Sequence, residues 1–153
     1  LSIYPQNNSS LIQFSYSLDE IASVAKKLIT LAGDDKIWIF KGEMGAGKTT
    51  LIKSLASAFE IFDQVSSPTF GIVNHYENKQ NQQFYHFDFY RIDDPVEALD
   101  IGIEEYFYSG NYCWLEWAER IAAFLPEQFF LIEILSDSPT QRTLKLQHIN
   151  DGN

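Results

Sequence analysis

A chain of 153 residues, 45% of them hydrophobic, can bury a core without metal or disulfide staples, and one domain over residues 1–153 is the default. Its 11 Lys and Arg against 21 Asp and Glu leave a net charge of −10, which argues against a broad basic face that would hold nucleic acid directly. Docking to a basic partner stays open. The single cysteine, Cys113, excludes an internal disulfide framework and points to a reducing, cytoplasmic setting, and no apolar run is as long as a membrane span.

Residues 1–10, rich in Ser, Asn, Gln and Pro, read as a loose arm. Residues 11–16 form a short apolar strand. Ser17 followed three residues on by Glu20 is a capping box, and Ile21, Val24, Ala25 and Leu28 trace the apolar stripe of a helix that Gly33 ends. A buried strand over 36–41 comes next, then a glycine-rich turn, then residues 50–59 with helical spacing. After the turn-forming stretch 66–70, the alternating segments 71–76 and 84–91 flank a polar loop and predict a β-hairpin. Asp94 and Pro95 open short helices that run to Tyr108. Tyr112–Leu115 is a buried strand ending in Glu116 and Trp117, residues 118–124 form a helical turn before Pro126, and 129–135 with 143–149 close as a second hairpin. The order predicts an α/β fold of three layers, resembling phosphate-loop NTPases, with parallel core strands and antiparallel hairpins.

The turn between strand and helix is Gly42-Glu43-Met44-Gly45-Ala46-Gly47-Lys48-Thr49, followed by Thr50. It matches G-x-x-x-x-G-K-[ST], in which loop N–H groups and a helix N-terminus cradle phosphates, the lysine reaches the outer phosphates and the hydroxyl of Thr49 ligates Mg²⁺. Hydrolysis needs a further acid near the loop. Glu116 is one candidate, because it emerges at the carboxyl end of a buried strand, where ligands of parallel sheets collect. Asp88 is the other. A period of two places His86, Asp88 and Tyr90 on a polar face backed by Tyr85, Phe87 and Phe89. His86 reads equally as a base or as a histidine bonded within its hairpin, and Trp117 as a core, rim or nucleotide-side aromatic.

Taken together, the phosphate loop, Ser67-Pro68-Thr69-Phe70, His86-Phe87-Asp88-Phe89-Tyr90-Arg91 and Leu115-Glu116-Trp117 resemble, in order and spacing, the TsaE (YjeE) family. These are small bacterial ATPases of the tRNA threonylcarbamoyladenosine pathway. The resemblance implies ATP or ADP on residues 42–50, Mg²⁺ served by Thr49 and Glu116, and a part for Asp88 in hydrolysis or in a coupled switch. It also implies a γ-phosphate-sensing segment at Thr69, Trp117 beside the site, nucleotide contact at Arg142, and an approach of the Asp19-Glu20 helix start to the adenine. The implied partners are TsaD and TsaB, which modify adenosine 37 of ANN-decoding tRNAs. Two rivals differ in chemistry: a small-molecule kinase, disfavoured because Arg91, Arg120 and Arg142 are the only arginines, and a nucleotide-sensing adaptor that does not hydrolyse.

Overall fold

The computed structural model describes residues 11–66, 68 and 72–150. The expected arm at 1–10 and Thr69 lie outside the described residues. Seven strands form one sheet: β1 (Ile12–Ser17), β2 (Ile37–Lys41), β3 (Val73–Glu77), β4 (Gln83–Asp88), β5 (Tyr112–Glu116), β6 (Gln128–Ser136) and β7 (Gln141–Asn150). Their order across the sheet is β1-β7-β6-β2-β5-β4-β3. The four central strands β6, β2, β5 and β4 run parallel, while β3–β4, β6–β7 and β7–β1 are antiparallel pairs. Both expected hairpins are present, one at an edge and one inside the sheet.

Helices cover both faces, so the architecture has three layers. α1 (Ile21–Ala32) and α2 (Lys48–Ala58) pack on one face over a core that includes Trp38, Phe40, Leu51, Phe84 and Trp114. α3 (Val96–Asp100), α4 (Ile103–Phe107) and the 3₁₀ segment Ala118–Phe124 lie against a second core with Ile39, Phe87, Cys113 and Leu115. Neighbouring residues of β2 and β5 therefore feed opposite cores, as the period of two requires. Each fully buried side chain of this size contributes about 1.5–3 kcal/mol by leaving water. Coverage on both faces explains why all five residues of β5 are buried.

Local chemistry sets the element ends as expected. The Glu20 carboxylate accepts the Ser17 backbone N–H at 2.8 Å, the reciprocal half of a capping box, and the first turn, Leu18–Glu20, is a 3₁₀ helix. Gly33 follows α1 with φ of 58°. Pro95 has helical angles, and Asp94 Oδ1 caps the N–H of Val96 at 3.0 Å.

The expected polar face of the fourth strand is a different matter. β4 stops at Asp88, so Tyr90 lies beyond the strand. His86 is only 1% exposed. The face that alternation suggests is wetted is instead covered by α2's side of the protein, because the strand lies inside a sheet with helices on both sides.

Candidate functional site

β2, β5 and β4 are adjacent and parallel, so their carboxyl ends open on the same edge of the sheet. β2 leads into the glycine-rich loop, β5 ends on Glu116 and β4 on Asp88, with Asp88 and Glu116 in register opposite each other. A cavity of about 760 Å³ lies over this edge, and Gly45, Gly47, Lys48, Thr49, Asp88, Glu116 and Trp117 are among its lining residues. Sequence positions more than sixty residues apart are thereby brought to one site.

The loop takes the shape its glycines permit. The Ala46 N–H donates to the Glu43 carbonyl at 3.0 Å, while Gly45 and Gly47 adopt φ of 81° and 109°. α2 begins at Lys48, so the first N–H groups of that helix, which have no intrahelical partner, face the loop side. Met44 lines the cavity but is largely exposed, and Gly42 packs under the loop, where an added Cβ would come within 3.0 Å of the Ile134 carbonyl oxygen. Glu43 and Ala46 lie on a neighbouring groove behind the loop.

Lys48 is held in place. Its Nζ donates to the Gly42 carbonyl at 2.6 Å and sits 4.1 Å from the centroid of the Trp117 indole. Burial pulls its pKa down, and Glu116, Glu119 and Asp88 act in the opposite direction. Asp88 is half-buried, and desolvation raises its carboxyl pKa; the Tyr90 N–H, donated to Oδ1 at 2.9 Å, works against that rise, and the Glu116 charge adds to it. Trp117 has a left-handed backbone, φ 57°, which turns the chain directly after β5 and brings the indole over Lys48 and against Tyr90, ring centroids 4.9 Å apart.

Glu116 is 3% exposed and its Oε2 lies 2.7 Å from His86 Nε2, so it is a buried, paired carboxylate and not a solvated strand end. His86 is the histidine bonded within its hairpin, to Tyr76, and its other ring nitrogen is taken by Glu116. Arg142 lines the cavity too, yet its guanidinium is engaged underneath the loop: Nε donates to the Ala46 carbonyl at 2.9 Å and Nη1 to Ser138 at 2.7 Å. Arg91 is also on the cavity wall, so two of the three arginines lie at this site. Asp19 and Glu20 are not among the described lining residues; both are engaged with Ser17. Thr50 lines the cavity one residue beyond Thr49, whereas Ile72, Ile92 and Glu97 complete a wall that no motif announced.

The donor set fits a magnesium nucleotide. Mg²⁺ is usually held by one or two side-chain oxygens together with substrate phosphates, not by an all-protein cage. Thr49, Asp88 and Glu116 share one cavity with a helix N-terminus and a lysine.

A parallel-centred sheet whose central strand turns through a glycine-rich loop into a helix defines a phosphate-loop fold. The family model described as "Threonylcarbamoyl adenosine biosynthesis protein TsaE" matches residues 15–144. The tRNA threonylcarbamoyladenosine biosynthesis protein TsaE of Haemophilus influenzae is 34% identical over 135 residues, 88% of this chain and 81% of that protein. The protein of the same name from Bacillus subtilis is 35% identical over 126 residues, covering 82% and 78%. Among solved structures, Bacillus subtilis YdiB superposes with a TM-score of 0.73 at 24% identity, over 96% of this chain and 91% of that one, a likeness of fold. The chain belongs to the TsaE family.

Proposed function

We propose that the chain binds Mg²⁺·ATP on residues 42–50 and hydrolyses it slowly in support of tRNA threonylcarbamoyladenosine formation, alongside partners of the TsaB and TsaD type. The observation that carries this reading is the convergence of Lys48, Thr49, Asp88 and Glu116 on one cavity at the start of α2. The printed names of the relatives supply the pathway.

In this reading the loop amides and Lys48 hold the phosphates, with Lys48 leaving the Gly42 carbonyl to do so. Thr49 and Glu116 hold the metal ion, which when bound neutralises charge on the β- and γ-phosphate oxygens. Asp88, with its carboxyl pKa raised by burial, orients the attacking water, and Trp117 and Tyr90 screen the phosphates from solvent. Arg142 keeps the loop in its binding shape from below. The absence of an N/T-K-x-D guanine-reading motif in the sequence favours adenine.

Titrating ATP, ADP and GTP against the purified chain, and measuring phosphate release with and without TsaB and TsaD, tests the reading. Lys48→Ala is expected to abolish nucleotide-dependent turnover. A Lys48→Ala chain that supports tRNA modification as well as the unaltered one would overturn the proposal, as would rapid phosphorylation of a small metabolite by the isolated protein.

A further inference from the structure

Behind the cavity runs a line of hydrogen bonds that the phosphate chemistry does not require. It starts at Glu116 Oε2, which lies 2.7 Å from His86 Nε2, and continues from His86 Nδ1 to the Tyr76 hydroxyl at 3.2 Å. That hydroxyl donates to the Ser66 carbonyl at 2.9 Å and accepts the Ser66 N–H at 3.3 Å. Asn74 Nδ2 adds a second donor to the Ser66 carbonyl at 3.0 Å. Both polar groups of the Ser66 backbone are therefore held by side chains of β3, outside any strand ladder. Tyr76 and His86 are buried, 4% and 1% exposed, so no bulk water competes for these bonds.

The donor inventory makes the line directional. A carboxylate only accepts, so the imidazole donates from Nε2, and its Nδ1 is left facing the Tyr76 hydroxyl. The Tyr76 hydroxyl is thereby held between His86 Nδ1 on one side and the Ser66 carbonyl, to which it donates, on the other. Where His86 sits decides where that hydroxyl lies against Ser66. Because His86 is bonded to Glu116, the carboxylate's position in the cavity bears on how firmly Ser66 is held, three residues before Thr69.

We infer that His86 and Tyr76 are positioning residues that hold the Glu116 carboxylate from behind and couple its placement to Ser66. The inference rests on the reading of the cavity as a nucleotide site for its functional weight, while the coupling itself can be read without nucleotide.

The test uses the full chain and has two arms. In the first, amide exchange at Ser66 is measured without nucleotide in the unaltered protein, Glu116→Ala, Tyr76→Phe and the double variant. Glu116→Ala is expected to speed Ser66 exchange about fivefold, the factor an ordinary net hydrogen bond carries, and to add nothing in the Tyr76→Phe background. Two further variants split the imidazole. His86→Asn keeps an amide near Nδ1 but loses the bond to Glu116, and should speed Ser66 about as much as Glu116→Ala does. His86→Gln keeps an amide near Nε2 but loses the bond to Tyr76, and in either His86 background Glu116→Ala should speed Ser66 no further. A merely structural histidine would leave the effect of Glu116→Ala on Ser66 intact in both backgrounds. In the second arm, Tyr76→Phe is expected to lower kcat about fivefold to tenfold while Mg²⁺·ATP affinity stays within about twofold. Ser66 exchange that ignores Glu116→Ala refutes the coupling, and an unchanged kcat in Tyr76→Phe refutes the positioning role. A chain that binds no Mg²⁺·ATP refutes the nucleotide reading instead, and the first arm still decides the coupling.

Discussion

Gly47→Ala asks how stiffly the phosphate loop is supported. Gly47 has φ of 109°, and a methyl group there would stand 3.2 Å from Arg142 Nε. The positive φ costs an L-residue about 1–2 kcal/mol. Arg142 has little freedom to retreat, because Nε donates to the Ala46 carbonyl at 2.9 Å and Nη1 to Ser138 at 2.7 Å and Gln141 at 3.0 Å. Weakening the Nε bond, which involves a charged donor, adds roughly 1–2 kcal/mol, a part of the 1.5–3 kcal/mol such bonds contribute. The total is about 2–4 kcal/mol, or a fall in Tm of roughly 5–15 °C for a chain of this size. Gly102→Ala supplies the reference: φ is 78° there, but nothing lies within 4 Å of the added carbon, so only the conformational share of about 1–2 kcal/mol applies. Thermal and urea unfolding of both variants, each also in an Arg142→Ala background, measures the difference. If Gly47→Ala costs no more than Gly102→Ala, or if its excess survives removal of Arg142, the guanidinium does not brace the loop.

Asp88→Asn should make the fold more stable at pH 7 while slowing nucleotide hydrolysis. Burial holds the Asp88 pKa above its ordinary value of 3.8, so the penalty for ionising it in the folded state grows as pH rises through the folded pKa and disappears below the unfolded one. The gap between variant and parent in urea unfolding should therefore narrow as pH is lowered, and a less stable Asn variant at pH 7 would contradict this. The Cys113 thiol is fully buried, with its pKa pushed up to about 12, so a thiol-alkylating reagent should modify it only on unfolding. Rapid labelling of the native protein at neutral pH would show that β5 opens. Lys48→Met should reduce ATP affinity by about a hundredfold or more, the loss of a buried charged contact. Calorimetric titration decides it, and retained affinity would mean that the loop amides alone hold the phosphates.

The parts of the site that were legible in the sequence are those whose chemistry fixes residue types at short spacing. The phosphate loop must place glycines, lysine and hydroxyl within eight positions, and Glu116 stands out because a charge directly follows four buried residues. Gly33, Ser17 with Glu20, and Asp94 with Pro95 could be read for the same local reason. What remained hidden depends on distant pairing. Nothing near Ala46 announces that Arg142, 96 residues away, will hold its carbonyl, and nothing near His86 announces Tyr76 or the bond to Glu116 across β5. Alternation assigned sides correctly over residues 85–88, where the strand runs, but could not tell a wet face from a helix-covered one, since helices cover both faces of an interior strand.

Trp117 links two demands that pull apart. Its left-handed backbone, φ 57°, is a conformation that disfavours a bulky side chain by about 1–2 kcal/mol, and glycine would adopt it freely. The indole nevertheless occupies that position, 4.1 Å from the Lys48 ammonium. Glycine would relieve the backbone but would forfeit the indole's packing on the second core and on Tyr90, and strip the lysine of its aromatic cover. One side chain thus sets a backbone cost against aromatic packing, and the same packing that holds the turn after β5 covers the ammonium of the phosphate loop.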